Sequence, residues 1–325
     1  MAEFTRRSLL AAAGLAGLAA GLPLASLARA EEPLSVVSTT GMIADAARQV
    51  GGNLVTVRGL MGPGVDPHAY RQTRTDILAM TRADLVLWHG LYLEAQMEDF
   101  LHSLSARRRV VAVAEALPAE LLLAHDAYKN RYDPHVWMDP DLWAKVVVAV
   151  RDALIEARPE GEAEFRANAE KHLADIEALS AYSRKVLATI PEERRVLVTA
   201  HDAFNYFGRA YDFEVLGIQG ISTESEAGLA HVAGLVDTLV ERRIGAVFVE
   251  SSVSDRNVRA LIEGAAARGH TVKVGGQLFS DAMGPHGSYE GTYIGMIDHN
   301  VTTITRALGG EAPERGMLGR LSAAS

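Results

Sequence analysis

Short β-branched runs alternate with longer amphipathic segments along most of this chain. The alternation predicts parallel strands joined by helices, because a parallel crossover needs a connection long enough to form one. Strands are expected at Leu34–Ser38, Leu54–Gly59, Asp84–Trp88, Val110–Val113, Val196–Thr199, Phe213–Ile218, Ala246–Val249 and Thr271–Val274. With 325 residues the chain is long enough for two cores. We therefore expect an α/β fold of two four-stranded, mostly parallel lobes.

A single long helix is predicted between the two halves. Apolar residues recur at three- and four-residue steps through residues 161–190, and Pro191 ends the pattern. The expected organisation is an N-terminal lobe over residues 31–158, a linking helix over 159–191 and a C-terminal lobe over 192–325. Shorter helices are expected at Met42–Val50, Arg74–Thr81, Leu93–Ser103, Ala203–Ala210, Leu229–Arg243, Ser254–Arg268 and Tyr293–Leu308.

Residues 1–30 have the features of an export signal. Arg6 and Arg7 precede an uncharged stretch rich in Ala, Leu and Gly, and Ala28-Arg29-Ala30 forms a small-x-small cleavage site. A membrane anchor is the alternative, but the stretch is only weakly apolar. The paired arginines leave both the twin-arginine and the Sec export route open.

The chain has no cysteine and a net charge of −9. The missing cysteines exclude disulfides, thiolate metal sites and a lipid-attachment cysteine, so we expect a soluble periplasmic protein that is not a lipoprotein. The acidity argues against nucleic acid as a partner.

Three histidines that follow predicted strands lie in distinctive sequence motifs. His68 lies in GPGVDPHAY, His135 in YDPHVWMDP and His201 in TAHDAF, while Asp281 follows the last strand in GGQLFSDAMG. Ligands bind beyond the carboxyl ends of parallel strands, so these loops should face a common cleft. Three imidazoles and a carboxylate suit Zn²⁺, and a bidentate carboxylate would also suit Mn²⁺ or Fe²⁺.

Other polar residues near these loops have open or structural interpretations. Glu250 either orients a ligand imidazole, adds a ligand, or caps the following helix. His286 is expected to be an exposed loop residue and His89 a structural one. Tyr70 and Trp137 flank ligands and are expected to shield the ion.

The sequence resembles the metal-binding receptors of ABC importers for zinc, manganese and iron, the cluster A-I solute-binding proteins. It is most similar to the treponemal-type zinc/manganese receptor branch. The resemblance rests on GPGVDPHAY, YDPHVWMDP, TAHDAFNYFGRAYDF, QGISTESEAG, VFVESSV and GGQLFSDAMG. It implies a monomeric, non-enzymatic protein that delivers its metal to an ABC permease, with ligands at His68, His135, His201 and Asp281.

Two features bear on the metal. Zinc-dedicated members often carry a His-rich loop after the fourth strand, whereas residues 117–133 hold only His125. Manganese-biased members often have glutamate where His201 stands, and the more nitrogen-rich site here favours zinc by affinity order. We expect both metals to bind, with zinc the tighter.

A zinc hydrolase using the same centre is the rival prediction. Catalytic zinc usually keeps one position open and has a general base nearby. A fourth protein ligand is available here and no HExxH motif occurs, so the sequence favours a binding protein.

Overall fold

The computed structural model describes residues 32–124 and 131–322. The predicted signal peptide and His125 lie outside the described residues. Four strands of the first half form one parallel sheet in the order β2-β1-β3-β4. They are β1 (Leu34–Ser38), β2 (Val55–Gly59), β3 (Leu85–Trp88) and β4 (Val110–Ala112). The central strand β3 is buried along its whole length, as expected for a parallel sheet covered on both faces.

Helices α1 (Gly41–Gly51), α2 (Arg74–Arg82) and α3 (Glu98–Ser105) connect these strands. Helix α2 begins at a capping box in which the Thr73 side chain accepts from the Asp76 backbone N–H and the Asp76 carboxylate accepts from the Thr73 backbone N–H.

Helix α4 (Pro140–Ala157) was not predicted from the sequence. Its start carries two ordinary signals: the Asp139 side chain accepts the backbone N–H of Asp141, and Pro140 occupies the first turn. The run of β-branched valines at 146–148 weakens the helical pattern that follows. Valines 146, 147 and 150 are nevertheless fully buried, so tertiary packing stabilises the helix.

The predicted linking helix is α5 (Glu162–Leu187), with 26 residues and therefore a length of roughly 39 Å at 1.5 Å per residue. Its apolar face is buried against α4 and α1 from the first half and against α9 (Tyr293–Ala307) from the second half. The buried apolar residues of this face are Phe165, Ala169, Ile176, Leu179, Val186 and Leu187.

The second half repeats the α/β pattern. Its strands are β5 (Val196–His201), β6 (Glu214–Gln219), β7 (Ala246–Glu250) and β8 (Lys273–Leu278). Parallel pairs form between β5 and β6 and between β7 and β8, as two two-stranded sheets rather than the single four-stranded sheet predicted. Strand β5 lies beside β7, so the spatial order is β6-β5-β7-β8. Helices α6 (Asn205–Tyr211), α7 (Leu229–Glu241), α8 (Arg256–Ala267) and α9 (Tyr293–Ala307) complete this half.

Strand β8 extends four residues beyond the predicted Thr271–Val274 and begins two residues later. Gly275 and Gly276 interrupt its pattern, and Gly276 takes a φ of 155° where the register with β7 shifts. Glycine inside a strand often marks such an irregularity, and here it hid the strand from sequence analysis.

These elements confirm the predicted mixed α/β fold with parallel sheets and a long connecting helix. One buried apolar cluster joins β1 and β3 with α1, α4, α5 and α9, and another fills the space between strands β5, β6 and β7 and helices α7 and α8. In the described part of the chain, the helices are all too short or too polar to span a bilayer. The domain boundaries at 158 and 191 stay predictions.

Candidate metal centre

Four side chains predicted to share a metal converge in the structure. One ligand atom from each of His68, His135, His201 and Asp281 lies within 4.8 Å of all the others. His68 Nε2 is 3.3 Å from His135 Nε2, and the two Asp281 oxygens lie 3.4 Å from His135 Nε2 and 3.2 Å from His201 Nε2. All four side chains are at most 2% exposed. The space between their ligand atoms is the size of a single ion and is not an open cleft.

The four residues lie beyond or at the carboxyl ends of parallel strands. His68 is in the loop after β2, and Asp281 comes three residues after β8. His201 is the last residue of β5, and His135 directly precedes the 3₁₀ helix Val136–Met138. Two strand-end loops from each half therefore meet, as the rule for open parallel sheets predicts.

The two Asp-Pro-His motifs fold the same way. The Asp66 carboxylate accepts the backbone N–H of His68 at 2.9 Å, and Asp133 accepts that of His135 at 2.9 Å. An aspartate that bonds the backbone two residues on closes a tight turn, and the intervening proline has no N–H to compete. The turn therefore fixes the backbone position from which each histidine side chain extends.

Two of the rings are also held at their outer nitrogens. Asp133 Oδ1 lies 2.7 Å from His135 Nδ1, and Glu250 Oε2 lies 2.5 Å from His201 Nδ1. A carboxylate at Nδ1 favours the tautomer that donates outward and leaves the Nε2 lone pair for a metal. His201 Nε2 and both Asp281 oxygens are buried without a hydrogen-bond partner in the described part of the chain. Buried polar atoms of this kind are typical of a site that binds an ion or a water molecule.

The charges of the centre favour a cation. Burial lowers the pKa of His68 to about 3, so this imidazole is neutral. Burial opposes charge on His135 as well, but the Asp133 and Asp281 carboxylates outweigh it and raise its pKa to about 9. Asp281 and Glu250 likewise raise the pKa of His201 well above its ordinary value.

The pKa values of the carboxylates are shifted by the same interactions with the imidazoles. Burial would raise the pKa of Asp281, but the His201 and His135 imidazoles outweigh burial and hold it well below its ordinary value. His135 likewise lowers the pKa of Asp133 against the effect of burial. Three carboxylates thus surround two protonated rings, and one divalent cation replaces two protons without changing the net charge of the cluster.

The open question on Glu250 has a structural answer. Both of its oxygens bind His201, one at the backbone N–H at 2.9 Å and one at the ring, so it orients this histidine. The helix-capping alternative is wrong, because α8 begins at Arg256, six residues after Glu250, and its N-cap residue is Asp255. Asp133 was missed as an orienting residue, although its place two residues before a histidine was a usable signal.

Some of the residues that flank the proposed ligands contact the centre and others do not. The Trp137 ring lies 5.2 Å from that of His135, and its Nε1 donates to the Ser280 carbonyl next to Asp281. Tyr70 donates its hydroxyl to Asp76 at the start of α2, and its role in shielding the ion stays a prediction. His89 is buried with Nε2 2.7 Å from the Pro134 carbonyl, and His286 is exposed, as expected.

Two small cavities adjoin the centre. A cavity of about 10 Å³ lies on the Asp281 side beside Met61, Met283 and His286, and another of about 10 Å³ lies on the His68 side beside Tyr92 and Ile221. A space of this size is near the minimum for one water molecule. Spaces of this size can hold a bare ion or a single water molecule.

The fold and the buried His₃Asp cluster define a two-lobed metal receptor, and the sequence comparison agrees. Residues 36–307 match the family model described as "ZnuA: Zinc-uptake complex component A periplasmic". The chain belongs to this family.

Individual relatives cover nearly the whole family region. The manganese-binding lipoprotein MntA of Bacillus subtilis is 50% identical over 279 residues, which cover 86% of this chain and 91% of that protein. The zinc-binding protein TroA of Treponema pallidum is 46% identical over 273 residues, covering 84% and 88%. The iron-binding protein YfeA of Yersinia pestis is 31% identical over 274 residues, covering 84% and 86%.

A solved structure of TroA, described as a periplasmic zinc-binding protein, superimposes with a TM-score of 0.83. The alignment covers 85% of this chain and 99% of that structure, at 46% identity. The two-lobed arrangement inferred from the sequence therefore has a solved counterpart.

Proposed function

We propose that this protein captures one divalent transition-metal ion with His68, His135, His201 and Asp281 and delivers it to an ABC permease. One observation carries the proposal: four buried ligand groups from both halves of the chain lie within 4.8 Å of one another. The ion is cargo, held until the permease accepts it.

The donor set supports zinc as the tightest cargo, with manganese also bound and Fe²⁺ accepted. Three imidazole nitrogens and one carboxylate form the tetrahedral set typical of Zn²⁺. Both oxygens of Asp281 face the other ligands, and bidentate binding through them would expand the shell toward what Mn²⁺ and Fe²⁺ accept. Relatives named for manganese, zinc and iron agree with a site that is not confined to one metal.

Binding without catalysis fits this site better than hydrolysis does. A hydrolytic zinc needs an open coordination position, a general base and space for a substrate. Here a fourth protein ligand fills the set, Glu250 is engaged with His201 through both oxygens, and the neighbouring cavities are about 10 Å³ each.

The proposed setting is the periplasm, where the protein works as a monomer without a lipid anchor. Cleavage after Ala30 would leave two lobes, residues 31–158 and 192–325, joined by the linking helix, and each lobe would supply two ligands. Fractionation of cells with and without spheroplasting tests the location, and light scattering of the purified protein tests the monomeric state.

Isothermal titration of the demetallated protein with Zn²⁺ and with Mn²⁺ tests the function. One tight site per chain for each metal is expected, with zinc the tighter. The absence of stoichiometric binding of any divalent transition metal would overturn the proposal. Metal analysis of protein isolated from the periplasm under zinc-poor and manganese-poor growth then identifies the cargo.

A further inference from the structure

The four proposed ligands are not held equally. His135 and His201 each have a carboxylate at the ring Nδ1, from Asp133 and Glu250. In the described part of the chain, the ring of His68 has no such carboxylate partner. Its anchor is the backbone N–H, which donates to Asp66 Oδ1 at 2.9 Å. His68 is therefore positioned through Asp66.

Asp66 is in turn bound by the other half of the protein. The Thr223 hydroxyl donates to Asp66 Oδ2 at 2.5 Å, across 157 residues of sequence. Thr223 belongs to the loop of residues 220–228 between β6 and α7. One carboxylate thus connects a ligand-bearing loop of the first half to a loop of the second half.

The loop that carries Thr223 is braced on its own side. The Gln219 side-chain amide, at the end of β6, donates to the backbone carbonyls of Thr223 and Ser225. Ile221 in the same loop is buried and lines the small cavity next to His68. A second contact between the halves, from Gln96 Nε2 to Glu224 Oε1 at 2.5 Å, lies beside it on the surface.

We propose that Thr223 is a positioning residue for metal retention: its bond to Asp66 holds His68 in the ligating position and so slows release of the ion. This inference rests on the proposed metal-binding function. When the two halves separate at this loop, Asp66 loses its partner and the least restrained ligand is freed first. The 220–228 loop is then the element through which displacement of the second half reaches the metal.

The free energy of the Thr223–Asp66 hydrogen bond determines how much its loss should change the rate of metal release. A hydrogen bond to a charged, partly buried carboxylate contributes enough that its loss should change a rate or equilibrium constant by about tenfold. Thr223→Val removes the hydroxyl and keeps the side-chain shape, whereas Thr223→Ser keeps the hydroxyl. Thr238→Val is a matched control, since Thr238 is in α7 and its hydroxyl donates to the Gly234 carbonyl of its own helix.

The experiment mixes each Zn²⁺-loaded full-length mature protein with excess chromophoric chelator and follows release by stopped flow. We expect Thr223→Val to release zinc about tenfold faster than the unmodified protein, while Thr223→Ser and Thr238→Val release it at the unmodified rate. Circular dichroism of the metal-free proteins should show the same fold for all four, with Thr223→Val unfolding at a somewhat lower temperature because it lacks the bond to Asp66.

Two results would overturn the inference. One is a Thr223→Val protein that releases zinc at the unmodified rate. The other is equal acceleration in Thr223→Ser and Thr223→Val, which would mean that loop packing and not the hydroxyl bond controls release. Failure of the unmodified protein to bind zinc stoichiometrically would instead refute the proposed function, so the two failures are distinguishable.

Discussion

Glu250 holds His201 at two points: one carboxylate oxygen accepts the backbone N–H at 2.9 Å and the other lies 2.5 Å from the ring Nδ1. These residues end the neighbouring strands β7 and β5. The carboxylate therefore fixes the position of the histidine and also determines that the ring Nε2 faces the centre.

Glu250→Gln should weaken zinc binding by about 10- to 100-fold, which is the usual effect of losing an outer partner of a metal ligand. The glutamine amide would direct an N–H toward the Nδ1–H of His201 or surrender the backbone contact. Isothermal titration measures the change. Glu263→Gln on the exposed side of α8 is the matched control and should bind like the unmodified protein; equal affinity in both variants would contradict the orienting role.

Asp281→Ala and His68→Ala should each lower zinc affinity by more than about 100-fold, because a direct ligand contributes at least as much as an outer one. The exposed His286 lies near Asp281 in sequence, and His286→Ala should leave affinity unchanged. Competition against a chelator of known affinity measures the difference. Unchanged binding in either ligand variant would defeat the assignment.

Metal binding should release about two protons per ion near neutral pH, because His135 and His201 are protonated without metal and must lose those protons to bind it. The sign follows from the raised pKa values. Protons compete with the metal at every pH below the pKa of about 9 for His135, so affinity rises with pH through the neutral range and falls on acidification. Titration in buffers of different ionisation enthalpy counts the protons. A plateau in affinity above pH 7 would contradict the expectation.

Asp133→Asn tests the cause of this proton release. Without the Asp133 charge the pKa of His135 should fall toward its ordinary value, since that carboxylate is the largest influence raising it. The variant should release fewer protons at neutral pH. Identical proton counts in both proteins would assign the effect to other groups.

Saturating zinc should raise the melting temperature of the protein, because a ligand that binds only the folded state stabilises it. At a thousandfold excess over Kd the gain is about 4 kcal/mol, which corresponds to a shift on the order of 10 °C. Differential scanning calorimetry measures the shift. His201→Ala should show little of it, and a full shift in that variant would place the ion elsewhere.

The parallel strands of the fold were predictable because burial on both faces leaves short continuous apolar runs such as that of β3. Helix α4 was not predicted, since its valines favour strands locally and only packing against α1 and α5 makes them helical. Strand β8 was misplaced for a similar reason, because Gly275 and Gly276 have no side chains to reveal the alternation.

The convergence of the four proposed ligands was predictable because strand ends in parallel sheets meet at one edge. The outer partners were harder to predict. Asp133 is next to a proline that already explained the local backbone, and the role of Glu250 depends on β7 lying beside β5. The hydrogen bond between Thr223 and Asp66 joins residues 157 positions apart, so no local sequence pattern predicts it.

The proposed ligands are dispersed along the chain: His68 and His135 stand 67 residues apart, and His201 and Asp281 follow the linking helix. A polypeptide still threading through a membrane in extended form brings no two of them to one ion. Loading must wait until both halves have folded and met. A chain exported unfolded by the Sec route would therefore reach the periplasm without bound zinc, whereas a chain exported folded by the twin-arginine route would be able to bind the ion before export.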